Sequence, residues 1–193
     1  MSRKKLTASL FIDYIINLVL SGLGFIALSW IFDFSFGNFL YSIIFSLSLF
    51  GLTYSKGALA AKIDLRSNNT PMVNALKISF PLTSVILFII AIYSLIYYNI
   101  IPVGDIILGT SVSETGETFS FLVKDAVSII IRILFLNLTG FMEYTPLSPL
   151  LLLISPLSIV SGALSGYFFG RKKIYLIDIF IKVKDILIDK FNE

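Results

Sequence analysis

The chain has 193 residues, 56% of them hydrophobic and only 14% charged, with a mean hydropathy of +0.92. A soluble domain carries about a quarter charged residues, so a chain this apolar needs lipid around it and reads as an all-α integral membrane protein. It has no cysteine and no histidine, which excludes disulfides, thiolate chemistry, histidine metal sites and Ser-His-Asp triads. The net charge of +3 is spread over the ends of apolar segments, so no basic patch for nucleic acid is expected.

A spanning helix needs about 20 mostly apolar residues, and four stretches meet that: roughly 9–31, 36–55, 78–98 and 147–169. The first follows a basic "SRKK" start. Its apolar run exceeds the signal-peptide core of about 7–15 residues, and no small-residue cleavage site follows Trp30, so it is expected as a retained anchor. It carries Asp13, Asn17 and Ser21 at i, i+4 and i+8, one face of a helix. Intramembrane carboxylates mark cation or proton sites; the plainer reading is a carboxylate held near the interface by a basic residue.

The second stretch holds Ser42, Ser46, Ser48, Gly51 and Ser55, and the third opens with Pro81, Thr83 and Ser84. Small and hydroxylic residues suit close contact between helices. The connection after the third, from Pro102 to Ser120, has Asp105, Glu114 and Glu117 and no basic residue. Next comes an ambiguous segment, 119–142. Ser120, Lys124, Ser128 and Arg132 recur along it every four residues, giving a polar stripe that suits an extracytoplasmic helix lying in the interface, or a re-entrant one. The last stretch repeats Ser158, Gly162, Gly166 and Gly170, a helix-packing face for this protomer or a partner, with Pro156 expected to kink it. The tail, 171–193, is too charged to span. As a helix it separates Asp178, Lys182, Asp185 and Asp189 from Leu176, Phe180, Val183 and Leu187, so a cytoplasmic amphipathic helix is expected.

Basic residues fix the expected topology. Arg3, Lys4 and Lys5 precede the first span, Lys56, Lys62, Arg66 and Lys77 lie between the second and third, and Arg171, Lys172, Lys173, Lys182, Lys184 and Lys190 follow the last. Four spans put all three groups on one side, with both termini cytoplasmic. Heavy use of Ile, Phe, Leu, Asn and Lys suggests an AT-rich bacterial genome, and hence the bacterial cell membrane. One domain, 1–193, is expected.

Three segments carry a family resemblance. "TYSKGALAAKIDLRSNNTPMVNALKIS" resembles the signature loop of the RDD family of membrane proteins, with Thr53 and Lys56 at the Thr and Lys places, Gly57 next, and Asp64 at the acidic end of a short strand. Ser55 stands where glycine is usual, and Lys77 where arginine is. "KKLTASLFIDYII" is similar to the family's entry into its first span: Asp13 matches the first aspartate and Lys5 falls near the arginine's place. In "RKKIYLIDIFIKVKDI", Asp178 matches the second aspartate, while Ile177 replaces the usual histidine.

The resemblance implies a multi-pass membrane protein that transports a small solute, for which monovalent cation/proton exchange through Asp13, Asn17 and Ser21 is the concrete form. It also implies the alternative, a non-catalytic accessory or scaffold subunit of a membrane complex. A polar cluster around Asp13 on the cytoplasmic side, with Lys56 or Lys77 supplying the cation, is expected. No Ser-Lys pair stands out, and neither enzyme activity, a cofactor nor a bound metal is expected. The bilayer is the expected surrounding, and a homo-oligomer or partner protein is expected through the last span.

Overall fold

The computed structural model describes residues 3–29, 35–66, 73–112, 118–143 and 148–173. Its long elements are α1 (Arg3–Ser29), α2 (Ser35–Arg66) and α3 (Val73–Tyr97), followed by strands β1 (Ile107–Val112) and β2 (Thr118–Leu122). Then come α4 (Val123–Leu134), the single turn α5 (Pro149–Leu152) and α6 (Ile154–Arg171). Four helical segments are long and apolar enough to cross a membrane: 4–27, 37–65, 75–97 and 149–171. The chain is a multi-pass membrane protein in a lipid surrounding.

The faces of α1 show the solvent it is built for. Its buried side includes Leu6, Leu10 and Tyr14 but also Asn17 and Ser21, while Ile12, Ile16, Val19, Leu23 and Ile26 are exposed. In water that arrangement would be inverted. In hydrocarbon an isoleucine gains nothing by turning inward, and polar groups gain most by leaving the lipid.

Residue contacts divide the chain into two compact units, residues 1–15, 47–83 and 157–193 in one, 16–46 and 84–156 in the other. In the first unit, α2 and α6 meet through small residues. A Cβ on Gly166 would stand 2.7 Å from the Tyr54 carbonyl carbon, one on Gly170 2.7 Å from Ala58 Cα, and one on Gly162 2.7 Å from the Phe50 carbonyl oxygen. From α2, Gly57 returns the contact: a Cβ there would stand 2.9 Å from the Tyr167 amide nitrogen. Backbones this close leave no room for a side chain on either surface. The Ser158/Gly162/Gly166/Gly170 face is therefore spent within the protomer, and a partner helix expected on it would have to displace α2.

Three expectations are corrected here. The second helix does not stop at Ser55 but continues to Arg66, so Gly57 lies inside a helix and does not release the chain from one. The segment ending at Asp64, expected as a short strand, is helical as well, because Ala58, Ala60, Ala61 and Asp64 all bury on one side of it. The helix expected over 119–142 is much shorter. Its first residues pair instead with β1 in an antiparallel hairpin, Thr110 opposite Ser120 and Val112 opposite Thr118, with an irregularity between Ile107 and Gly109.

After α4 the chain continues in short 3-10 turns, Leu136–Leu138 and Phe141–Glu143. In the second unit these turns dock on α2: Ser42 Oγ accepts from the Gly140 amide at 2.8 Å and from the Phe141 amide at 3.3 Å. Tyr41 is the hub there. Its hydroxyl donates to the Ser21 carbonyl and lies 3.4 Å from the Leu136 carbonyl, and its ring packs on Phe25 and Phe45. Near Pro156 the helix is interrupted at Leu153, between α5 and α6. Proline has no N–H for the carbonyl four residues earlier and its ring crowds that carbonyl, so the break falls one turn upstream. The tail from 174 onward, including Asp178 and the expected amphipathic helix, lies outside the described residues.

Gly166→Val should lower the stability of the purified protein by about 1–3 kcal/mol, as overpacking does. Ser161→Ala, at an exposed position of the same helix, should stay within about 0.5 kcal/mol. Equilibrium unfolding in detergent compares the two.

Candidate functional site

Asp13 enters the membrane unaccompanied by any carboxylate on α1, and its partner comes from α2. Lys56 Nζ lies 3.1 Å from Asp13 Oδ2, with both side chains mostly shielded, and donates to Ser9 Oγ at 2.6 Å. Ser9 and Asp13 are one turn apart on α1, so a single ammonium group bridges two positions of that helix. A pair shielded in this way is held at high cost if broken, because the surviving charge has no water to turn to.

Asp64 is a buried carboxylate of this unit. It is 2% exposed, and the Tyr167 hydroxyl donates to its Oδ2 at 2.8 Å. Thr53, also buried, donates its hydroxyl back into its own helix, at 3.0 Å from the Leu49 carbonyl and 2.9 Å from that of Phe50, while facing Gly162 of α6. Asp64, Thr53 and Gly57 thus share one role, joining α2 to α6. Lys5 and Lys77 are exposed.

The second unit holds the more unusual chemistry. Asn17 and Ser21 are fully buried, and neither the Asn17 amide nor the Ser21 hydroxyl has a hydrogen-bond partner among the described residues. The hydroxyl of Ser46 and the amide oxygen of Asn137 are in the same condition, although the Asn137 amide nitrogen donates to Ser155 Oγ at 3.4 Å. A buried polar group without a partner costs about 1–3 kcal/mol in a protein, so each of these is a poor packing solution. They are groups able to hold water or a small cation through neutral oxygens.

Sequence reasoning placed Asp13, Asn17 and Ser21 on the first helix, but put Lys56 in the connection after the second, whereas it lies within α2. It passed over Ser9, whose spacing of four from Asp13 was visible, and Tyr167, which the glycine repeat hid. It also passed over Asn137 and Ser155, whose meeting depends on the turns that follow α4. No three carboxylates cluster as a metal site among the described residues. No protein-family model matches the chain, and neither a curated protein nor a solved structure does.

Breaking the pair tests its weight. Lys56→Met alone should destabilise the protein by about 3 kcal/mol, the lower end for a buried pair losing one member. The double variant Asp13→Asn/Lys56→Met should recover part of that loss, read as a positive coupling in a double-mutant unfolding cycle.

Proposed function

We propose that the chain is a divergent RDD-like transporter of a small solute or monovalent cation, working by cation/proton exchange and not as an enzyme. The observation that carries the reading is Asn17: fully buried, in an apolar span, with neither amide atom hydrogen-bonded among the described residues. Hydrocarbon offers no hydrogen bonds, so an amide kept there in that state is best explained by an occupant that comes and goes. Asp13 and Ser21 extend the same face of α1 by one turn each way, and Lys56 supplies a charge that competes for Asp13 with any arriving cation.

The distribution of basic residues supports a bacterial cell-membrane location with both termini cytoplasmic. α4 is read as an amphipathic helix at the membrane surface opposite the termini. The alternative, a non-catalytic accessory subunit, draws on the Asp13–Lys56 pair being already satisfied. Its contact to a partner, or that of a homo-oligomer, would use the exposed side of α6, where Leu157, Ser161 and Phe168 lie, because the glycine side is taken.

The test is flux in proteoliposomes under imposed proton, Na⁺ or K⁺ gradients. Wild type is expected to carry flux that Asp13→Asn and Asn17→Leu abolish while eluting as folded protein. Absence of flux from correctly folded wild type would overturn transport of these ions and favour the accessory reading, for which a co-purifying membrane protein is the expected sign.

A further inference from the structure

The polar stripe of α4 lines one side of an open cleft. Lys124, Ser128 and Arg132 turn toward the end of α3 and, with Asp125, Tyr93 and Tyr97, line a cleft of about 290 Å³. The helix runs back along α3: Lys124 lies near Ile96 around Gly104, whereas Ser128 hydrogen-bonds Tyr93 and Arg132 acts electrostatically on that same tyrosine, one turn earlier on α3. Its other side presents Ile129, Ile130 and Ile133, each at least half exposed. The neighbouring surface is apolar too, with Ile106, Ile107 and Leu108 all exposed. Such a surface belongs in lipid, beside the tyrosines that mark a membrane–water boundary.

The charges of the cleft are unequally served. Asp125 accepts from the Leu122 amide at 2.9 Å. Asp105 is shared between Lys124 at 3.4 Å and Asn99 at 3.3 Å. Arg132, an exposed side chain lining the cleft, has no carboxylate partner among the described residues. A guanidinium with no carboxylate beside it draws an anion to itself, and its planar fork matches phosphate oxygens.

We infer that this cleft binds a phosphate group, and that its source is the headgroup of an anionic phospholipid in the leaflet at the α3 C-terminal end. Arg132 and Ser128 hold the phosphate, Lys124 closes the mouth, and the acyl chains lie against Ile129 and Ile133. This site is independent of the transport reading.

The test is native mass spectrometry of the full chain released from nanodiscs of equal parts phosphatidylglycerol and phosphatidylcholine. A parallel titration follows inorganic phosphate in detergent. Wild type is expected to retain phosphatidylglycerol in preference to phosphatidylcholine. R132Q should retain it about tenfold less, the loss expected for one charge-assisted contact. K124Q, at the exposed mouth, should lose about fivefold and keeps the test decisive should R132Q prove unstable. Equal retention of both lipids, or retention unchanged in both variants, overturns the site. Arg132-dependent binding of inorganic phosphate without lipid retention supports the phosphate site and overturns its lipid source.

Discussion

In hydrocarbon, burial is not driven by apolarity, and that constraint orders this protein. Valine and isoleucine are as comfortable facing lipid as facing a neighbouring helix, so the residues selected for the inside are those that lipid tolerates least or that allow backbones to touch. The inner side of α1 accordingly carries Asp13, Asn17 and Ser21, and that of α6 carries Gly162, Gly166 and Gly170. The two sets do different things. Glycines trade side-chain volume for dispersion contact along α2, whereas the polar set fixes which helix stands opposite which, because Lys56 reaches both Ser9 and Asp13.

The same constraint separates satisfied from unsatisfied polarity. In the unit holding residues 1–15, 47–83 and 157–193, the buried Thr83 hydroxyl has no hydrogen-bond partner among the described residues, but Asp64 is engaged by Tyr167, Thr53 by its own helix and Asp13 by the Lys56 ion pair. In the unit holding residues 16–46 and 84–156, Asn17, Ser21 and Ser46 are not. A protein built only to hold helices together would gain by replacing those three with apolar residues of similar shape. Their presence is the physical argument for a role beyond packing.

The spans were legible because length and apolarity are properties of a stretch and need no partner. Basic residues at their ends gave a topology for the same reason. What was not legible depended on two segments at once. Asp64 looks like the end of a polar connection until Ala60 and Ala61 are seen buried beside it, so a helix extending to Arg66 was mistaken for a loop and strand. Thr118 to Leu122 alternates well enough for a strand, but the helical spacing of Ser120, Lys124, Ser128 and Arg132 masked it. At the candidate site, the face of α1 could be read from spacing alone. That Lys56 and not Lys77 meets Asp13, and that Asn137 finds Ser155, follows from chain reversals no local pattern encodes.

The pairing of Lys56 with Asp13 also has a bearing on how the protein is made. Ser9 and Lys56 are separated by 47 residues, and membrane helices are delivered in the order of synthesis. When α1 reaches the bilayer its carboxylate has no ammonium to meet, because α2 is still being translated. Asp13 stands four residues into the apolar stretch that begins at Ser9, about 6 Å along the helix axis, close enough to the aqueous side for the charge to be solvated while it waits. Had the aspartate been placed at mid-span, the first helix would have had to enter lipid with a bare charge at its centre. The depth of Asp13 is thus a compromise between the finished contact and the unfinished chain, and it makes insertion of the second helix the step that locks the first one in place.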